Sequence, residues 1–387
     1  MTFGWAGAAA IVGVGQTAAW RGSGRTPQSL AAEAISAALD DAGLDAGDLD
    51  GVHTYVPGVT AEEVATAFGF RSLRHVSAKP MGGAFPVASL KEAAIALATG
   101  AASHVLIFVA SSQRAGRAVF RAHPGIPGQQ FRTQLEHPYG WSRPAQWYAM
   151  LARRHMHEFG TTKRQLAEVA LTMRRHAQLN PTAYMYGREL TLDDYLAAPM
   201  IADPYQKFDC CLETDGGSAV ILTSPDRAAD LKAPPVLVAG VGEGHPVSGD
   251  DISNRPDWFD IGLSHAAPQA FETAGTRPSE MDAAMIYDCF TFEVIQQLEE
   301  AGFCARGEGG PFVESGAIGR DGSLPVNTHG GLLSEGHLAG MNHIVEAVRQ
   351  LRGEAGERQL ARAGQIAVTG WGDLGDGALA VLRGPQA

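Results

Sequence analysis

Cysteine is scarce in this 387-residue chain, with four residues: Cys210, Cys211, Cys289 and Cys304. They are too few and too scattered for a disulfide scaffold or a zinc ribbon, and the adjacent Cys210-Cys211 make no CxxC motif. A reducing, cytoplasmic setting is the expectation. Positive charge is also short. The 30 Lys and Arg against 42 Asp and Glu leave a net charge of -12, which argues against a nucleic-acid binder with a basic face. Long apolar runs are missing as well. The longest tract, Ala93 to Ala110, is interrupted by Thr99-Gly100 and Ser103-His104. It reads as a buried helix, a turn and a buried strand, not as a membrane span of about 20 residues. The N-terminus lacks an ordered basic region, apolar region and cleavage site, so no signal peptide is read.

What is present suits a folded protein. Hydrophobic residues make up 45% of the chain, enough for substantial cores in one large or two medium domains. The chain also repeats itself. Residues 10–15 are Ala-Ile-Val-Gly-Val-Gly and residues 237–242 are Leu-Val-Ala-Gly-Val-Gly, each a short apolar strand ending in glycines. In the first copy Thr26 as N-cap and Pro27 at N1 open a helix with apolar Leu30, Ala31, Ala34, Ile35 and Ala38, stopped at Ala42-Gly43. Asp48-Leu49-Asp50 and a strand ending near Tyr55 follow. The second copy has Ala266, Ala270 and Phe271, then Ala274-Gly275, Glu280-Met281-Asp282 and a strand reaching Tyr287. Strands alternating with helices predict mainly parallel sheets covered by helices. A long insertion, about residues 111–200, separates the halves. It contains a helix from about Ala145 to Phe159 and a second helix opened by the capping-box pattern Thr162-Lys163-Arg164-Gln165 and ended by Asn180-Pro181.

Near the C-terminus stands Asn327-Thr328-His329-Gly330-Gly331, then four residues, then Gly336-His337-Leu338-Ala339-Gly340. This resembles the NxxGGxxxxGHPxG signature of the thiolase superfamily, with Leu338 in place of the usual proline. Asp215-Gly216-Gly217-Ser218-Ala219-Val220 resembles the family's DGAxA segment. The likeness runs from Ala10-Ile11-Val12-Gly13 to Ile366-Ala367-Val368-Thr369-Gly370. It is greatest to the lipid-transfer-protein-like branch, which includes the thiolase portion of sterol carrier protein X and the retro-aldolases of steroid side-chain degradation. The resemblance implies an α/β fold of two similar halves with mixed, mainly parallel sheets layered as αβαβα. The N-terminal half would be 1–225, with the insertion at about 111–200, and the C-terminal half 226–387. It further implies a homodimer, a small OB-fold, zinc-ribbon companion protein, and an insertion that covers the acyl-CoA tunnel. No cofactor is implied beyond the CoA of the substrate. Arg114, Arg117, Arg121, Arg153, Arg154, Lys163 and Arg164 are candidates for a CoA phosphate patch, with solvated surface charges as the alternative.

The thiolase nucleophile is missing. Its place falls at or next to Gly83 in Lys79-Pro80-Met81-Gly82-Gly83-Ala84-Phe85. The second thiolase cysteine is also absent, from Gly370-Trp371-Gly372-Asp373-Leu374-Gly375-Asp376-Gly377, so covalent thiolysis is not expected. Gly82 and Gly83 offer backbone N–H groups at a helix start for a thioester oxygen, or serve close packing alone. Tyr287-Asp288-Cys289-Phe290 resembles the His-Asp-Cys-Phe block of sterol carrier thiolases. The steroid aldolases carry a tyrosine at the first position, with an acid/base role, so Tyr287 is the candidate proton carrier. A core tyrosine at a strand end is the alternative. Cys289 shares a strand face with Tyr287 and is read as packing.

His337 matches the thiolase histidine that points at the thioester oxygen, where the steroid aldolases have a second tyrosine; it is a candidate donor or base. Asn327, His329 and Gly331 complete the expected oxyanion and substrate-binding set, and Asn327 is also read as fixing the glycine loop. His329, Glu335 and His343 are neighbours in sequence, but their spacing matches no standard zinc pattern, so no metal is expected. His155-Met156-His157-Glu158 is read as a helix-surface cluster. The expected activity is retro-aldol cleavage of a β-hydroxyacyl-CoA thioester, steroidal or otherwise bulky, into a ketone or aldehyde and a shorter acyl-CoA. The alternatives are a thiolase-like acyltransferase with an unusual nucleophile and a non-catalytic acyl-CoA or lipid-binding subunit.

Overall fold

Two glycine-bearing strands, β1 (Ala10–Gln16) and β8 (Val236–Gly244), pair at the centre of the sheet. The computed structural model describes residues 4–56, 58–112, 132–246, 255–372 and 375–385. After β1 come α1 (Pro27–Ala42), β2 (Gly51–Tyr55), α2 (Ala61–Phe68), β3 (His75–Lys79), α3 (Phe85–Ala98) and β4 (His104–Ser111). The intervening segment carries α4 (Pro144–Phe159), α5 (Lys163–Ala177), α6 (Leu192–Leu196) and the hairpin β5 (Met200–Ala202) and β6 (Tyr205–Gln206). Next are β7 (Gly216–Thr223) and α7 (Pro225–Ala228). After β8 come α8 (Gly262–Ala274), β9 (Ala283–Met285), α9 (Thr291–Glu300), α10 (Gly309–Glu314), α11 (Gly331–Ser334), α12 (Met341–Arg352), β10 (Gln365–Trp371) and β11 (Gly377–Arg383).

Local chemistry sets these elements as the sequence predicts. The Thr26 hydroxyl accepts from the Ser29 N–H, Pro27 sits in the first turn, and Gly43 closes α1 at φ 70. The Thr162 hydroxyl accepts from the Gln165 N–H at 3.3 Å, and the Gln165 amide oxygen accepts from the Thr162 N–H at 2.9 Å.

Among the described residues, nine strands form one sheet in the order β3-β2-β4-β7-β1-β8-β11-β10-β9. Outward from the β1–β8 joint, each side has the same sequence of equivalents: β1 and β8, β7 and β11, β4 and β10, β2 and β9. The place of β3 is taken on the other side by Val326, which bridges Ala284 in parallel. The glycines of the repeat explain themselves by packing. A Cβ on Gly13 or Gly15 would fall 2.2 Å from the Ala38 carbonyl oxygen or 2.0 Å from that of Ala34, both on α1. On Gly240 or Gly242 it would fall 2.4 Å from the oxygen of Ala270 or 1.8 Å from that of Ala266, both on α8. The two halves therefore seat an alanine-rich helix on a bare strand in the same way.

The sheet is mixed, but the expectation of mainly parallel pairing does not hold. Among the described strands β2–β3, β2–β4 and β9–β10 are parallel, whereas β1–β7, β4–β7, β1–β8, β8–β11 and β10–β11 are antiparallel. The cause is the last strand of each half. β11 folds straight back on β10, and such a short return is antiparallel. β7 returns on β4 with the same sense, after the insertion.

α1 and α8 cover outer faces, while α3 and α12 lie between the half-sheets. Phe85, Leu90, Ile344 and Val348 from those two inner helices share a buried core with Ile107, Val238, Val368 and Leu382. That produces the αβαβα layering. No helix among the described residues is long and apolar enough to cross a membrane.

Candidate active site

The chain just beyond β9 is held by its backbone, and this aims its side chains. Asn327, at φ 51, uses its whole amide on Ile286: Oδ1 accepts from the Ile286 N–H at 2.7 Å and Nδ2 donates to the Ile286 carbonyl at 2.7 Å. The Tyr287 N–H donates to Thr369 Oγ1 at 3.0 Å, and the Gln297 amide donates to the Tyr287 carbonyl at 2.6 Å. The buried Asp288 carboxylate accepts from the N–H groups of Leu332 and Leu333 at 2.7 and 3.2 Å. With Ile286 and Asp288 turned one way, Tyr287 and Cys289 share the other face.

The Tyr287 ring fills the space over Gly83, at or next to which the resemblance puts the thiolase nucleophile. A Cβ on Gly83 would lie 2.0 Å from Tyr287 Cε2, 2.1 Å from Cζ and 2.5 Å from the hydroxyl oxygen. Gly340, at φ 83, lies along the same edge of the ring, where a Cβ would stand 3.0 Å from Cδ2. The phenol and a side chain at position 83 exclude each other.

Around the phenol lie three further groups. The Cys289 thiol donates to the Tyr287 hydroxyl at 3.1 Å, and His337 Nε2 lies 3.4 Å from both. Cys211 Sγ stands 3.8 Å from Cys289 Sγ. The Thr214 hydroxyl accepts from the His337 N–H at 2.8 Å and fixes the loop. Burial lowers the His337 pKa to about 4, so the imidazole is a neutral base near pH 7. Burial, then the adjacent Cys289, pushes the Tyr287 phenol well above its ordinary range, so it keeps its proton.

A cavity of about 540 Å³ opens against this group, with Tyr287 and Cys289 in its wall beside Tyr148, Phe290, Trp371 and Cys211. The size suits a bulky, largely apolar ligand. Part of the wall comes from the insertion, including Tyr148 and Met185. His337 stands behind the phenol and thiol rather than among the lining residues.

Several sequence-predicted residues are placed elsewhere. Gly82, Gly83, Asn327, His329 and Gly331 do not line this cavity. Asn327 holds Ile286. His329 is buried with its Nε2 2.9 Å from His343 Nδ1. Gly331, at φ 63, leaves room for the Asp288 carboxylate, which a Cβ would meet at 2.0 Å. The Asn/Gly block is thus a backbone scaffold under the site. Cys289 is more than packing, because its thiol touches both candidate catalytic groups. Cys211 was missed, since a contact across 78 positions leaves no local signal. Nor is His155 a surface residue. It is fully buried, 2.7 Å from Thr161 Oγ1 and 3.0 Å from Glu299 Oε2. Among the basic candidates, Arg153, Arg154 and Lys163 are paired with Asp203, Glu158 and Asp209. Arg114, Arg117 and Arg121 lie outside the described residues.

Known proteins resemble this chain over most of its length. Residues 244–383 match the family described as thiolase C-terminal domain-like. The chain is 40% identical over 363 residues to the steroid side-chain-cleaving aldolase of Thermomonospora curvata, covering 90% of this chain and 91% of that one. It is 40% identical over 357 residues to the 17-hydroxy-3-oxo-4-pregnene-20-carboxyl-CoA lyase of Mycobacterium tuberculosis, covering 90% and 92%. The solved Ltp2-ChsH2(DUF35) aldolase superposes with a TM-score of 0.94 at 37% identity over 100% of both chains. The chain belongs to the lipid-transfer-protein-like branch of the thiolase superfamily, in the family of the steroid side-chain-cleaving aldolases.

Proposed function

We propose that this chain is a carbon–carbon lyase that cleaves a β-hydroxyacyl-CoA thioester with a steroid or similarly bulky acyl group, releasing a ketone or aldehyde and a shortened acyl-CoA. The observation that carries the reading is the phenol of Tyr287 in the space of a side chain at position 83, with a neutral imidazole beside it. A nucleophile has been exchanged for a proton-transfer pair. The phenol takes the proton of the β-hydroxyl as its own proton passes to His337 Nε2. The hydroxyl oxygen becomes a carbonyl, the Cα–Cβ bond breaks, and its electron pair forms the thioester enolate. The phenol donates to the enolate oxygen, and the imidazolium behind it offsets the enolate charge. The phenol then protonates Cα and recovers its proton from His337.

The test is a mass-spectrometric assay of purified protein against tertiary β-hydroxyacyl-CoA thioesters, steroidal and simple. A carbonyl product with a matching shortened acyl-CoA is expected. Tyr287→Phe and His337→Ala should each lower turnover about 10²-fold or more, the usual contribution of a general acid or base. Full cleavage in both variants would sink the assignment. An acyl adduct on the protein would favour the acyltransferase reading. Tight binding without turnover would favour a carrier.

The same proposal includes the homodimer and the small companion protein. The companion is supported by the 0.94 match to an aldolase named for a DUF35 partner; the homodimer rests on the family resemblance alone. The assay is therefore run with and without that companion. Light scattering of the isolated chain should give twice its 40.7 kDa mass.

A further inference from the structure

The site holds more soft donor atoms than a proton relay uses. The Cys211 N–H donates to the Cys289 carbonyl at 2.8 Å, beside an antiparallel bridge from Cys210 to Phe290. Residues opposed in this way project to one face. Their sulfurs come to 3.8 Å, Cys289 Sγ lies 3.4 Å from His337 Nε2, and the three atoms all lie within 4.8 Å of one another. Tetrahedral zinc, with Zn–S near 2.3 Å and Zn–N near 2.05 Å, has an S···S edge of about 3.8 Å and an S···N edge of about 3.6 Å. Two edges are therefore already in place. The third needs at most about 1.2 Å of closure from the 4.8 Å bound.

Charge and access agree with the distances. A divalent ion that replaces the two thiol protons leaves two thiolates and a neutral imidazole, so the buried group stays neutral overall. Two sulfurs and a nitrogen suit Zn²⁺ and disfavour Mg²⁺ or Ca²⁺. Cys211 is half-buried and lines the cavity, so an ion enters where substrate does. The Tyr287 hydroxyl, 3.1 Å from Cys289 Sγ and 3.4 Å from His337 Nε2, stands near the fourth position. In sequence the three ligands are unrelated, and only the fold collects them.

We propose that Cys211, Cys289 and His337 form a Zn²⁺ site whose occupancy switches the lyase off. The inhibitory part rests on the mechanism above: Nε2 bound to zinc cannot take the proton of Tyr287. The metal state and the relay state exclude each other.

The first experiment uses the metal-free full chain and Co²⁺ as a spectroscopic probe. One Co²⁺ per chain should give a thiolate-to-cobalt charge-transfer band with intense tetrahedral visible bands, displaced by Zn²⁺. Cys211→Ser and Cys289→Ser should each lose them. No thiolate band, or an unchanged band in Cys211→Ser, overturns the site. For the activity arm the chain is loaded with zinc and desalted before the companion is added. Turnover should fall about 10²-fold relative to the metal-free chain. The ratio of loaded to metal-free turnover should return toward one in Cys211→Ser. A cobalt band with turnover indifferent to zinc, or turnover that requires zinc, overturns the switch. A chain with no turnover at all fails the lyase reading instead, and the cobalt spectrum still decides the site.

Discussion

At the residue scale, the site turns on which of two side chains fills one small volume. Gly83→Ala puts a methyl 2.0 Å from the Tyr287 ring. Overpacking of this kind costs about 1–3 kcal/mol, and the phenol must move. In a Tyr287→Ala background the same substitution should cost much less. A double-mutant cycle on denaturation midpoints checks the coupling, and additive costs would contradict it. Burial of His337 has its own signature. Above its ordinary pKa of 6.5 the imidazole is neutral in both folded and unfolded chains. As pH falls from 6.5 toward about 4, the unfolded chain takes up a proton that the folded site refuses. Stability is lost across that window and levels off below it. His337→Gln should remove one proton's share of the slope, about 3 kcal/mol by pH 4, read as denaturation midpoints against pH. Tyr287 and His337 were legible as candidates because both sit in family blocks. The exclusion between Tyr287 and position 83 was not, because nothing local links residues 204 positions apart.

At the scale of elements, the duplicated strands carry their own explanation. Gly13 and Gly15 meet α1 as Gly240 and Gly242 meet α8, through the carbonyls of equivalent alanines. Gly242→Ala, whose Cβ would lie 1.8 Å from the Ala266 oxygen, should lower stability by about 1–3 kcal/mol. Gly4→Ala, which meets nothing within 4 Å, should leave the denaturation midpoint almost unchanged. The loop from Asn327 to Gly340 looked in sequence like a set of substrate contacts. In the fold Asn327 and Gly331 hold the backbone around Tyr287 and Asp288. A motif does not separate residues that touch a ligand from those that aim its neighbours. Strand sense was also misjudged, because the order of elements does not reveal that the last strand of each half returns antiparallel.

At the scale of the whole molecule, the insertion brings wall to a site whose chemistry lies elsewhere. Met185 lines the cavity from a loop after α5. Met185→Ala should raise KM for a bulky acyl chain about tenfold with little change in kcat, since lost apolar contact of this size is worth about 1–3 kcal/mol. Short simple thioesters should be affected less. Equal loss for both classes would place the bulky group elsewhere.

The sequence by itself determined the elements, the duplication, the family and the missing nucleophile. These follow from periodicity, caps and short blocks, all carried by residues close in the chain. Only the tertiary structure decided that Gly83 makes room for Tyr287, that Asn327, His329 and Gly331 stand behind the site, and that Cys211, Cys289 and His337 share one small space. Those facts depend on contacts across roughly 50 to 200 positions. Such contacts exist only once both half-sheets close on their central helices, and the packing of that closed interior determines what each side chain touches.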